Sequence, residues 1–354
     1  MYHFAPRVIY VERGVEQMPL THHICSRFPT TPVLLVDDYH HLPTGAGNVK
    51  SRFRQEKRAL ALAAKRGAWV KPVNREKRRR HQRDFYLAHE HNCIFDCQYC
   101  YLQSYHDHAV PVIFVDREGL RTAIQEVLAA FPEDECYFHG GELVDNLALD
   151  HLTGFSTFII PLFATLSRAT LELRTKSNQI EHLLSLPHHG RTILAWTFNP
   201  DPVIRFCEHG TASLQQRLAA ARACQQAGYP IGIRLDPVVY YPQWEEDYQA
   251  MICELFRSLD PSLISSCGIG LLRYMPELGQ IMRERFPKSR IWTGEFVPSA
   301  DGKYRYFRPL RLHIYRKLIG WIREVSPHTP LYLSMEPPDI WEAVGLRAEW
   351  EAGK

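Results

Sequence analysis

From Asp84 onward the apolar positions follow one repeated order: a short β-branched or aromatic run, a polar loop, then an amphipathic stretch. The runs fall at 85–89, 135–138, 170–174, 192–197, 230–235 and 268–273. Between them, spacing near 3.6 residues predicts helices over 117–131, 214–227 and 244–259. Strands alternating with helices predict an α/β fold with a parallel sheet. Six such units in a row predict a partial (β/α)6 TIM-type barrel rather than an open doubly wound sheet. Function is then expected at the C-terminal ends of the strands.

Both flanks of this region carry their own elements. Residues 7–11 and 32–36 read as strands and 55–65 as a helix, which makes 1–83 an N-terminal α/β extension with a basic segment. The barrel is expected over 84–275. The rest, 276–354, holds a strand at 304–307, a helix at 310–325 and a strand at 331–335, and is expected to close the barrel. No internal repeat or low-complexity tract interrupts this order.

Composition sets the class. With 354 residues, 45% apolar and 12% aromatic, the chain can bury one large core or two modest ones. There is no apolar run of 18 residues, and residues 1–10 lack the order of a secretion signal, so the expected location is the reducing cytoplasm with no membrane. The net charge of +3 is uninformative, but its distribution is not. The run from Arg52 to Arg83 is dense in Lys and Arg, with only Glu56 and Glu76 against them. Such a stripe reads as a phosphate-binding surface or as a solvated linker.

The sharpest chemical signal is Cys93, Cys97 and Cys100, a CxxxCxxC spacing. Three thiolates can hold three corners of a 4Fe-4S cluster and leave one iron open to a small-molecule ligand. That arrangement suits a radical S-adenosylmethionine enzyme, in which the reduced cluster chelates the methionine moiety and cleaves its sulfonium C–S bond to give a 5'-deoxyadenosyl radical. A structural zinc site completed by His106 or His108 is the alternative. The remaining cysteines, Cys25, Cys136, Cys207, Cys224, Cys253 and Cys267, stand singly in apolar surroundings and read as buried small hydrophobes with no disulfide framework.

Chemistry-bearing residues recur at the expected strand ends. The cysteine loop follows the first strand and Gly140-Gly141-Glu142 the second. Lys176 follows the third, and Thr197 and Asn199 end the fourth. Gly140 and Gly141 allow close backbone approach, and Glu142 can accept hydrogen bonds from the methionine ammonium. Lys176 can pair with the cofactor carboxylate, while Thr197 and Asn199 can bind its ribose or carboxylate.

The segment Cys97-Gln-Tyr99-Cys100-Tyr101-Leu-Gln103, with Leu149-Asp150-His151-Leu152-Thr153 and Glu208-His209-Gly210-Thr211 leading to Arg217, resembles the spore photoproduct lyase family of radical S-adenosylmethionine proteins. The likeness extends to Ile9-Tyr10-Val11-Glu12 and Tyr332-Leu333-Ser334-Met335-Glu336, and so covers nearly the whole chain. It implies a barrel of the radical S-adenosylmethionine kind, a 4Fe-4S cluster, S-adenosylmethionine, an external electron donor of flavodoxin or ferredoxin type, and repair of a methylene-bridged thymine dimer in DNA. It also implies that the deoxyadenosyl radical takes a hydrogen from the lesion's C6, that a protein cysteine gives one back to the product, and that tyrosines at the positions of Tyr99 and Tyr101 help return it.

One departure separates this chain from that pattern. Aligning Leu149 to Leu152 with the family places Glu142 where the lyases carry the hydrogen-donor cysteine and Val144 where they carry a serine. Cys136 lies six residues upstream, about 20 Å away at roughly 3.3 Å per strand residue, and is a poor substitute. Two readings follow: a DNA-acting radical lyase that flips the lesion into the barrel mouth, or a radical enzyme of the same fold with a different substrate, such as another nucleic-acid adduct, a peptide or a small metabolite. An iron-sulfur regulator or electron carrier has no use for the strand-end cofactor groups.

Overall fold

The strand Ala169–Thr175 shows how the chain curls. Leu171 and Leu173 are completely buried in the main core, while Glu172 and Arg174, alternating with them, face the other way. The computed structural model describes residues 4–43, 45–73, 81–292 and 294–346. Its larger sheet has seven parallel strands: β1 Gln82–Leu87, β2 Glu135–His139, β3 Ala169–Thr175, β4 Thr192–Thr197, β5 Ile231–Val238, β6 Ile264–Leu271 and β7 Leu331–Leu333. Val70–Pro72 adds an antiparallel edge beside β1.

Spatial order in this sheet follows chain order without reversal, which is the arrangement of a barrel; a doubly wound sheet would reverse at a switch point. All six expected strands are present, and β7 extends the half-barrel by one. The three expected helices are found at Arg117–Ala130, Leu214–Gln226 and Trp244–Ser258. Ser213 opens the second with a capping box to Gln216. Beyond β6, the helix Arg308–Val325 packs on Trp244–Ser258, and Phe296–Pro298, Tyr304–Tyr306 and Arg273–Tyr274 form a small antiparallel sheet.

A second sheet of five strands is built largely from the N-terminal region, in the order Val33–Val36, Val8–Glu12, Ala59–Ala63, Val112–Phe114, Glu90–His91. The expected helix over 55–65 is not found. A helix Val49–Glu56 ends there, and Ala59–Ala63 is a fully buried strand. Leu60 and Leu62 face the main core, whereas Ala59, Ala61 and Ala63 face a second core holding Tyr10, Tyr39 and Phe114. Two cores claim alternate residues, so period-2 packing overrides the helix propensity of Ala and Leu.

Part of the basic run is described, and several of its residues there are engaged in ion pairs or caps. Arg75, Lys77, Arg78, Arg79 and Arg80 lie outside the described residues. Of the others, Arg66 bridges Glu12 and Asp38, Arg83 pairs with Asp134, and the Lys57 ammonium caps two carbonyls of the cysteine loop. Among the described residues no helix is long and apolar enough to cross a membrane.

Candidate active site

The loop carrying Cys93, Cys97 and Cys100 follows β1 and is fixed from several sides. Lys57 Nζ donates to the carbonyls of Cys93 and Phe95 at 2.8 and 2.7 Å. Gln103 Nε2 donates to the carbonyls of Cys97, Gln98 and Cys100 at 3.2, 2.8 and 3.2 Å. Arg285 holds the Asp96 carboxylate at 2.8 and 2.9 Å. Cys97 pairs antiparallel with Glu208, and Gln98 N donates to Cys207 O at 2.7 Å. Of the three sulfurs, Cys93 Sγ adds one contact within the loop, accepting from Phe95 N at 3.4 Å.

Burial pushes the Cys93 thiol up to about 12, with Asp145 and Cys100 adding to the rise and Lys57 opposing it. Cys97 lies well above its ordinary value, again chiefly through burial, with Cys100 and Cys93 contributing. Neighbouring thiolates thus make Cys93 and Cys97 harder to ionise, Lys57 and Lys176 oppose the rise, and a cationic group bound between the sulfurs would offset it further. Among the described residues no group of His, Cys, Asp and Glu gathers tightly enough for a single metal ion. Three soft thiol donors on one loop are a donor set that could hold three corners of a 4Fe-4S cluster. All nine cysteines are free thiols.

The two tyrosines flanking Cys100 have different surroundings. The Tyr99 hydroxyl donates to Glu208 Oε1, an oxygen that also accepts from Asn199 Nδ2 at 2.8 Å. The other oxygen of Glu208 is held by Arg217, whose guanidinium also donates to the carbonyls of Ala212 and Thr197 at 2.9 and 2.8 Å. Both Glu208 and Arg217 are completely buried in their side chains. Burial alone would raise the Glu208 carboxyl, but Arg217 and Lys176 outweigh it and hold it below its ordinary value. Tyr101, 44% exposed, instead donates to the backbone carbonyl of Glu142.

The remaining expected positions divide between the opening and the interior. Glu142 is exposed. Gly140 and Gly141 are required by crowding: a Cβ on Gly140 would stand 2.5 Å from Leu173 Cδ2, and one on Gly141 2.5 Å from Val144 Cγ1. Thr197 ends β4. Asn199 has no exposed surface, and its amide accepts from the Tyr248 hydroxyl and donates to Glu208 Oε1, both at 2.8 Å. Lys176 is anchored through its backbone, donating to Asp145 Oδ2 at 2.6 Å and accepting from Ala212 N at 3.1 Å, and its ammonium stands 5.8 Å from the centre of the Tyr99 ring.

A set of polar residues inside the half-barrel was not singled out from the sequence. Glu172 on β3 accepts from Arg174, from the Tyr137 hydroxyl on β2, and from Arg234 on β5 at 2.6 Å. The bond to Arg234 crosses the intervening strand β4, where the residue in register with Arg174 is only Ala195. A Cβ on Gly268 would run into the Tyr332 ring and one on Gly270 into Asp236, so the concave face stays open only because small residues sit opposite large ones. Asp236 pairs bidentately with Arg273 at 3.0 and 3.2 Å. Burial alone would raise Glu172, yet Arg174, Arg234 and His139 hold it well below the carboxylate range. The signal lay in the sequence: buried parallel strands read as continuous apolar runs, and Glu172-x-Arg174 and Arg234-x-Asp236 break that rule with period 2.

Residues 4–308 match the family model described as spore photoproduct lyase. The chain belongs to the spore photoproduct lyase family. A spore photoproduct lyase of a Geobacillus species is 24% identical over 314 residues, covering 86% of this chain and 88% of its own. That of Bacillus subtilis is 23% identical over 301 residues, covering 82% and 85%. Among solved structures, a spore photoproduct lyase variant with a cysteine replaced by alanine has a TM-score of 0.85 at 22% identity, over 94% of this chain and 99% of that one. A spore photoproduct lyase complexed with dinucleoside spore photoproduct has a TM-score of 0.84 at 23% identity with the same coverage. The half-barrel and both its flanks thus belong to the fold of this family.

Proposed function

We propose that this protein is a radical S-adenosylmethionine enzyme that repairs a thymine photoproduct or a related lesion in DNA. The observation that carries this reading is the gathering of the three-thiol loop, the Lys176 ammonium and the Tyr101 hydroxyl beyond the C-terminal ends of β1 to β3. When bound, a reduced 4Fe-4S cluster with S-adenosylmethionine supplies a 5'-deoxyadenosyl radical. Cys93, Cys97 and Cys100 hold three of its irons. Lys176 takes the cofactor's carboxylate, exposed Glu142 its ammonium, and Thr197 a polar edge of the amino acid or ribose. Gly140 and Gly141 keep the backbone of that turn close to the ligand. Tyr101, the more exposed of the two tyrosines, exchanges hydrogen with the substrate, and the buried Tyr99 assists its return. Solved relatives lend support: one is complexed with dinucleoside spore photoproduct and another has bound AdoMet with the same dinucleoside.

Phosphate contacts from the basic run, and an external donor of flavodoxin or ferredoxin type, complete the scheme. The DNA reading is tested by titrating lesion-bearing oligonucleotide at rising salt, with the wild type and an Arg79→Glu, Arg80→Glu variant. Affinity that falls steeply with salt and is lost in the variant supports it; binding insensitive to both contradicts it.

A specific observation favours a second reading. Glu142 and Val144 stand where the resemblance places a hydrogen-donor cysteine and a serine, so the same site is suited to a radical reaction without a cysteine donor, on another nucleic-acid adduct, a peptide or a small metabolite. Cofactor cleavage without repair of the photoproduct selects this reading.

A further inference from the structure

The Lys176 ammonium forms no ion pair among the described residues, although Glu208, Cys97 and Asp145 all bear on it electrostatically. Both nearby carboxylates are occupied by other donors. Asp145 accepts from Thr175 Oγ1 at 2.7 Å, from Lys176 N at 2.6 Å and from Leu147 N at 3.2 Å. Glu208 accepts from the Tyr99 hydroxyl and Asn199 on one oxygen and from Arg217 on the other. The cation is also fixed in place, with its backbone tied at both the N–H and the carbonyl and its head above the Tyr99 ring. A lysine in contact with a buried acid would ordinarily be drawn into a pair, so an unpaired one beside two acids needs a reason.

We propose that Tyr99, Asn199 and Arg217 act as positioning residues that withhold the Glu208 carboxylate from Lys176, keeping the ammonium available for the carboxylate of an α-amino-acid ligand. This rests on the reading of Lys176 as the cofactor-carboxylate site. It gives the Tyr99 hydroxyl a task distinct from hydrogen return, namely to saturate the Glu208 oxygen beneath the lysine. A Phe at 99 keeps the ring under the cation but frees one acceptor position of that oxygen, which Asn199 still holds on its other side, and the freed position then draws Lys176 in competition with the ligand.

The test is equilibrium binding to reconstituted protein of S-adenosylmethionine and of its decarboxylated analogue, in wild type, Tyr99→Phe, Glu208→Gln, Tyr99→Phe/Glu208→Gln and Lys176→Met. Withholding predicts that Tyr99→Phe weakens S-adenosylmethionine by at least about tenfold, the scale of one charge-assisted contact. The decarboxylated analogue is unaffected by Tyr99→Phe, and the double variant regains most of the wild-type affinity because a neutral amide holds a lysine far less strongly than a carboxylate does. A merely structural role for Tyr99 weakens both ligands alike, and the added Gln does not restore them; that pattern overturns the proposal. Lys176→Met separates the two levels. If it leaves S-adenosylmethionine binding unchanged, the underlying assignment of Lys176 fails. If it weakens binding while Tyr99→Phe does not, only the withholding fails. Glu208→Gln alone binds at least as tightly as wild type, and it reports on folding should the double variant be unstable.

Discussion

The Tyr101 hydroxyl donates to the backbone carbonyl of Glu142, so the exposed tyrosine of the cysteine motif is held at the position where the resemblance places the lyases' hydrogen-donor cysteine. A phenol bonded to a neutral carbonyl keeps its hydrogen and remains accessible from the barrel mouth. Tyr99, by contrast, is bonded to a buried carboxylate.

That difference predicts distinct phenotypes at the two positions. Tyr101→Phe is expected to leave 5'-deoxyadenosine formation intact while lowering product formed per deoxyadenosine by at least about tenfold, equivalent to about 1.4 kcal/mol of barrier. Quantifying both species by chromatography in one reaction checks this. An unchanged ratio means that the hydrogen comes from elsewhere.

Stability inside the half-barrel depends on the carboxylate shared across β4. Arg234→Met leaves Glu172 with one guanidinium fewer in a buried setting, but still paired with Arg174 and Tyr137, and is expected to lower the unfolding free energy by about 1.5–3 kcal/mol, the scale of one hydrogen bond to a charged group. Removing the charge from both sides with Glu172→Gln/Arg234→Met should cost less than the sum of the single changes, because the two residues share one bond. Urea denaturation of the four proteins reads the coupling directly.

Much of this architecture was legible because the barrel repeats one unit. Six strands and three helices followed from apolar periodicity. The Ala59–Ala63 strand was not legible, since Ala-Leu alternation is indistinguishable from a helix until two cores are known to claim its two faces. Asn199 had the right position for a ligand contact, but only packing shows that Glu208 and Tyr248 satisfy its amide. The Glu172–Arg234 bond is a relation between residues 62 apart whose meeting depends on the curl of the sheet.

Acid sensitivity is expected from the histidine pair beside the cysteine loop. His106 stacks on His91 at 4.9 Å, and burial, with His108 adding to it, lowers the His106 imidazole to about 4. In the unfolded chain the same group takes a proton near 6.5. The folded state therefore binds fewer protons, and its stability falls as pH drops from about 6.5 toward 4. His106→Asn should flatten that part of the profile. Denaturation midpoints at pH 7.5, 5.5 and 4.5 test it, and an identical slope in the variant would exclude His106 as the source.

The most direct measurement is anaerobic. The cluster is reconstituted and reduced with dithionite in wild-type protein and in Cys97→Ala, S-adenosylmethionine and an oligonucleotide containing the spore photoproduct are added, and 5'-deoxyadenosine and restored thymidines are followed by chromatography. The account predicts a brown chromophore, cofactor cleavage and repair in the wild type, and a folded but colourless and inactive Cys97→Ala. An unchanged absorption band in Cys97→Ala, or a fully reconstituted wild type that forms no 5'-deoxyadenosine, would contradict it.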